Sequence, residues 1–170
     1  LAAQTSLQAL RDLGNLEKSG RILINGASGG VGVFALGIAK IMGAHITAVT
    51  SFRNIDFVKG LGADKIIDYT KEDFTKADQK YDIIFDCWGN KNFLKVKDSL
   101  EEKGIYISTI PNVKNYLLSL NNIINQKKGK VVLVKSKSED LETLKDYIDK
   151  GSLKVIVDKV FSKSEIIEAY

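Results

Sequence analysis

The stretch Ile22-Leu23-Ile24-Asn25-Gly26-Ala27-Ser28-Gly29-Gly30-Val31-Gly32 decides how this chain folds. A short aliphatic strand runs into a glycine-rich loop. An apolar, small-residue helix over Val31 to Met42 follows, with Gly43 at its C-terminal cap. A loop of this kind suits a phosphate. The chain must turn sharply out of the strand, its backbone must approach the ligand without a side chain between, and the helix must pack closely on the strand. Gly29, Gly30 and Gly32 meet those demands, and the N–H groups and dipole at the helix start favour an anion. Strand before and helix after are the context that a dinucleotide-binding loop requires.

Outward from this loop, strand and helix alternate. A helix over Ala2 to Leu13, with Leu7, Leu10 and Leu13 in phase, ends at Gly14. Further strands are expected at Ile46–Thr50, Lys65–Asp68, Tyr81–Asp86, Gly104–Ser108 and Val131–Val134. Further helices are expected at Ile55–Leu61, Asn92–Leu100 and Ser138–Asp149. The stretch Pro111 to Lys130 fits least well and reads as a helix flanked by loops. Alternation of this kind predicts a parallel sheet with helices on both faces, and right-handed crossovers leave a doubly wound, six-stranded Rossmann sheet. The strands are runs of Ile, Val and Leu, as burial on both faces demands.

Composition agrees and excludes several classes. The chain has 170 residues, 25 basic and 21 acidic side chains, and 44% hydrophobic residues. That aliphatic content rules out long disorder. No run of about 18 apolar residues exists, so no membrane-spanning helix is expected. The length predicts one domain over residues 1–170. Basic and acidic residues are interleaved, and the densest basic stretch, Lys127, Lys128 and Lys130, has no aromatics between its lysines. It reads as a solvated turn, so no nucleic-acid partner is expected. Cys87 is the single cysteine, no signal-peptide pattern is present, and a cytoplasmic location is expected. The start at Leu1 and the stop at Tyr170, inside an apparent helix, suggest an excised domain.

The residues after the second strand address the cofactor. A carboxylate there would bind the ribose hydroxyls of NAD. Here the strand ends Val49-Thr50-Ser51-Phe52-Arg53, with no acid before Asp56. A hydroxyl with a guanidinium suits a 2′-phosphate instead, because arginine offers a charge-assisted fork. NADP(H) is therefore the expected cofactor, with Ser51 and Arg53 at its 2′-phosphate.

Several further blocks make the chain resemble the cofactor domain of the medium-chain dehydrogenase/reductase superfamily, in its zinc-independent quinone-oxidoreductase branch. These are Thr5 to Leu10, Asn25 to Gly32, Leu61-Gly62-Ala63-Asp64 with Ile67-Asp68-Tyr69, Tyr81 to Asp86, and Gly151-Ser152-Leu153-Lys154. The resemblance implies a two-domain enzyme whose GroES-like catalytic domain precedes this chain. It implies that Ser28, Gly29, Gly30 and Val31, in the loop that Ala27 opens, cradle the pyrophosphate. It places Thr5 near the nicotinamide, Tyr69 near the adenosine phosphate, and Trp88 and Gly89 along the ribose. The family more often has a small aliphatic residue where Trp88 stands. The implied activity is hydride transfer from NADPH to a quinone, enone or related carbonyl compound, and the implied assembly is a homodimer. The apolar strand Val131–Val134 would otherwise leave an exposed sheet edge, which supports that dimer.

The glycine loop read from Gly26 as G-x-x-x-G-x-G fits short-chain dehydrogenases, but no tyrosine here has a lysine four residues later. No G-K-S/T loop appears. Leu1-Ala2-Ala3 offers no ligand where the zinc-dependent branch takes one, and Cys87 and His45 are each single, so no zinc is expected. No catalytic acid or base is evident. A zinc-type alcohol dehydrogenase-like enzyme and a non-catalytic nucleotide-binding or structural module remain as alternatives.

Overall fold

The computed structural model describes residues 1–110 and 127–168. Six parallel strands form one sheet in the order β3-β2-β1-β4-β5-β6. They are β1 Arg21–Asn25, β2 His45–Thr50, β3 Lys65–Asp68, β4 Tyr81–Asp86, β5 Leu100–Ser108 and β6 Lys128–Val131. The helices are α1 Ala2–Leu7, which continues as a π-helical stretch Gln8–Leu13, then α2 Gly30–Ile41, α3 Ile55–Gly60, α4 Phe93–Val96 and α5 Ser138–Asp149.

The strands are apolar on both faces because helices cover both faces. Alternation along β1 shows it. Ile22 and Ile24 enter one core with Leu7, Leu36, Ile46 and Leu153. Leu23 between them enters the other, with Ile67, Phe74, Ile84 and Tyr106. Period-2 side-chain geometry thus splits one sequence run between two cores. The order reverses between β1 and β4, and Asn25 faces Asp86 across that boundary. A doubly wound sheet opens its ligand crevice at this point, beyond the carboxyl ends of the strands.

Three expectations need correction. The helix expected at Asn92–Leu100 is a single α-helical turn followed by the 3₁₀ turn Lys97–Ser99, and Leu100 already pairs with Tyr81 in β5. The lysine-rich stretch is not a turn, because Lys128 and Lys130 lie in β6. The sixth strand is therefore Lys128–Val131 rather than Val131–Val134. Its neighbour β5 aligns Ile105 with Lys128 and Ser108 with Val131, so the ladder ends where the apolar run begins. The edge carries lysines, a feature that discourages strand-to-strand pairing, so the apolar edge offered in support of the dimer is replaced by a lysine-bearing one and the dimer expectation rests on the family resemblance alone. The helix expected within Pro111 to Lys130 lies, up to residue 126, outside the described residues. No helix among the described residues is long and apolar enough to cross a membrane.

Candidate cofactor crevice

The crevice is a cavity of about 500 Å³ beyond the ends of β1, β2 and β4. Its floor is the glycine loop. Gly26 leaves β1 with φ +81°, a left-handed conformation that favours glycine. Gly32 is needed for a different reason: a Cβ there would lie 2.3 Å from the Gly26 carbonyl oxygen and 2.7 Å from the Ala27 backbone. This is the close helix–strand contact of a dinucleotide-binding loop. Gly30 differs again. A Cβ on it would meet nothing within 4 Å, so its bare backbone faces open space. Gly29 caps α2 with no side-chain hydrogen bond, leaving the first N–H groups of the helix free of a side-chain partner. A free helix start beside exposed glycine backbone can hold a pyrophosphate.

The end of β2 forms the next wall. Thr50 Oγ1 lies 3.0 Å from Ser28 Oγ, and Asn54 Nδ2 donates to Ser28 Oγ at 3.1 Å and to Ser51 Oγ at 3.4 Å. Thr50, Ser51 and Asn54 all line the cavity. The wall is thus hydroxyl and amide, with no carboxylate. Across from it, the rings of Tyr69 and Trp88 stand 5.3 Å apart, tilted by 49°. Both line the cavity and are about half-exposed (47% and 50%). The pair also separates the crevice from a second cavity of about 180 Å³ that reaches Asn90 and Lys91.

Of the expected binding residues, the structure brings Ser28, Gly29, Gly30, Val31, Ser51, Tyr69 and Trp88 to one cavity. It does not bring four others to the cavity wall. Thr5 is buried in α1, its hydroxyl donating to the Leu1 carbonyl at 3.0 Å. Ala27 is fully buried beneath the loop. Gly89 turns away and donates its N–H to Asp86 at 2.8 Å. Arg53 is exposed on the 3₁₀ turn Phe52–Asn54, outside the cavity lining. Sequence reasoning missed Thr50, Asn54 and the structural demand on Gly26. Asn54 gave no signal, being one polar residue in a polar turn. Asn25 and Asp86 did give one: each is the polar C-terminal residue of an otherwise buried, largely apolar strand.

Cys87 follows Asp86 and lines the crevice. Burial, and then the Asp86 charge, push its thiol well above the usual cysteine range. It is therefore a poor nucleophile. Burial and the same carboxylate also raise the Tyr106 phenol. Among the described residues no group of three or more His, Cys, Asp or Glu is placed to hold a metal ion.

Sheet order, crevice and glycine loop define a Rossmann-like α/β domain of the kind that holds a dinucleotide at its switch point. Comparison with known proteins identifies the family. The sequence profile of the zinc-binding dehydrogenases matches residues 61–170. A chloroplastic quinone-oxidoreductase of Triphysaria versicolor, QR1, is 36% identical over 92% of this chain and 50% of its own length. A chloroplast envelope quinone oxidoreductase homolog of Arabidopsis thaliana is 33% identical over 100% of this chain and 55% of its own. The quinone oxidoreductase structure from Coxiella burnetii superposes with a TM-score of 0.86 at 28% identity, covering 99% of this chain and 53% of that one. The chain belongs to the zinc-binding dehydrogenase family, in the quinone-oxidoreductase-like part of the medium-chain dehydrogenase/reductase superfamily. It spans about half the length of these relatives.

Proposed function

We propose that this chain is the NADP(H)-binding domain of a reductase that delivers hydride to a quinone, enone or related carbonyl compound. The observation that carries the reading is the open backbone at Gly30, beside exposed Gly29, at a helix start without a side-chain cap and lining the crevice. The pyrophosphate rests there. A purine-sized ring stacks on the Tyr69–Trp88 pair. Ser51 and Asn54 meet the ribose, and Arg53 reaches the 2′-phosphate from the rim. The absence of a carboxylate between Thr50 and Asn54 favours the phosphorylated cofactor, because an acid there would repel the phosphate.

When bound, the nicotinamide supplies the hydride. The chain's residues bind it, orient it and keep water from it. No acid or base in the crevice is assigned a proton-transfer role. Substrate contacts belong to a GroES-like domain expected ahead of this chain. The quinone and enone assignment is supported by the relatives, which include quinone oxidoreductases and a trans-enoyl reductase.

Calorimetric titration with NADPH and NADH, repeated with Arg53→Ala, tests the reading. A charge-assisted bond contributes about 1.5–3 kcal/mol, so NADPH should bind about 10- to 150-fold tighter than NADH. The variant should lose that preference. Equal binding of both nucleotides by the unsubstituted protein would refute the 2′-phosphate assignment.

A further inference from the structure

The crevice depends on a side chain that does not line it. Asp86 ends β4 and is fully buried, an unusual place for a carboxylate. Its oxygens take donors from four separate places. Oδ1 accepts from Asn25 Nδ2 on β1 at 2.8 Å and from the Gly89 N–H at 2.8 Å. Oδ2 accepts from the Lys91 N–H at 3.1 Å and faces the buried Tyr106 hydroxyl on β5 at 2.9 Å. Two of these donors are backbone groups of the turn that follows β4. That turn carries Trp88, whose Cβ would lie 3.2 Å from a Cβ on Gly26, packed against the root of the glycine loop. Asn25 also holds the turn, its amide donating to Asn90 Oδ1 at 2.8 Å and its carbonyl accepting from the Cys87 N–H at 2.9 Å, and the Thr109 hydroxyl meets the Cys87 carbonyl at 3.3 Å, but it is Asp86 that takes two of the turn's backbone N–H groups. Trp88 and Asn90 are exposed, and Gly89 holds φ +76°. Burial of an anion is costly unless its hydrogen bonds are satisfied, so the carboxylate and the turn specify one another.

We propose that Asp86 is a positioning residue of the nucleotide crevice: its buried carboxylate folds the turn at residues 87–91 and so fixes Trp88 as the wall opposite Ser51 and Asn54. Asp86→Asn probes this with almost no change of volume. The amide presents an N–H to one pair of donors. The Tyr106 hydroxyl can turn to the Lys91 carbonyl, already 3.0 Å away, but the Lys91 N–H is left without an acceptor. The turn then relaxes and Trp88 moves.

Trp88 is the single tryptophan of the sequence, so its fluorescence reports the turn directly. In nucleotide-free Asp86→Asn, its iodide quenching and emission maximum should change while the far-ultraviolet circular dichroism does not. NADPH affinity should fall about tenfold or more, as the loss of a buried hydrogen-bond partner implies. Leu144→Ala, a core deletion in α5 at a residue that does not line the crevice, should lower thermal stability with Trp88 and the affinity unchanged. Unchanged Trp88 fluorescence in Asp86→Asn overturns the proposal, as does an equal loss of affinity in Leu144→Ala. If Asp86→Asn does not fold, Tyr106→Phe decides: altered Trp88 quenching supports the proposal and unaltered quenching overturns it. The affinity arm rests on the cofactor reading above, whereas the nucleotide-free fluorescence arm does not. A wild-type protein that binds no dinucleotide would end that reading and still leave Asp86 to be decided by Trp88.

Discussion

Replacing Gly30 by alanine should separate binding from stability. Gly30 is the first residue of α2, and a Cβ built on it meets no atom within 4 Å. The substitution therefore introduces no clash in the unliganded protein. It also reduces the freedom of the unfolded chain, which at a compatible site stabilises by about 0.4–1 kcal/mol. For a domain of this size that is a rise in Tm of about 1–4 °C. The added methyl group nevertheless stands where the pyrophosphate rests. Displacing one charge-assisted N–H bond to a phosphate oxygen costs about 1.5–3 kcal/mol, or about 10- to 150-fold in Kd. Gly32→Ala makes the contrast. Its Cβ would lie 2.3 Å from the Gly26 oxygen, a backbone atom that cannot swing aside. That variant should lose about 1–3 kcal/mol of stability as well as binding. Scanning calorimetry and NADPH titration read both quantities. A Gly30→Ala protein that is at least as stable as wild type and binds NADPH equally well would refute the assignment of this loop.

Two further outcomes are expected. Burial alone would raise the Asp140 carboxyl, but hydrogen bonds from Gln8 and Arg11, each at 2.6 Å, hold it below the usual carboxylate range. A depressed folded-state pKa stabilises above the unfolded value of 3.8 and is lost as pH falls through the folded one. Asp140→Asn should therefore cost about 1–3 kcal/mol near neutral pH and progressively less in acid, read by urea unfolding; a cost independent of pH would contradict the linkage. The raised Cys87 thiol should react at least about tenfold more slowly with a neutral disulfide reagent near pH 8 than an unstructured cysteine does, and a matching rate would show that the environment is misjudged.

Most of the fold was legible because a parallel sheet covered on both faces must be written in aliphatic runs. Ile22 to Ile24 and Ile83 to Phe85 are such runs, and the glycine loop gave the direction of the crossover. The sixth strand was misplaced for a related reason. An edge strand need not be apolar, so Lys128-Gly129-Lys130-Val131 does not look like one, whereas Val131–Val134 does. Gly129 is buried there, and a Cβ on it would lie 3.3 Å from the Phe93 ring, a long-range contact that local pattern cannot reveal. The helix at Asn92 was overextended because Leu100 suits either a helix or a strand, and pairing with Tyr81 decides it.

The candidate site divides in the same way. Loop glycines and Ser51 are readable because their local backbone or side-chain chemistry is itself the function. Asn54 enters the crevice only through the 3₁₀ turn that aims its amide at Ser28. Arg53, on the same turn, is exposed at the rim and does not line the cavity. Thr5 is drawn into its own helix by the Leu1 carbonyl. Asp86 works through partners on β1 and β5, which sequence separates from it by 61 and 20 positions.

The central claim is that a dinucleotide lies with its pyrophosphate on the start of α2. Amide chemical shifts of the ¹⁵N-labelled protein, followed through an NADPH titration, test it most directly. The expected result is saturable movement of the Gly29, Gly30, Val31 and Gly32 amides, together with the Trp88 indole. Shifts absent from that loop, or confined to another face of the sheet, would contradict the account.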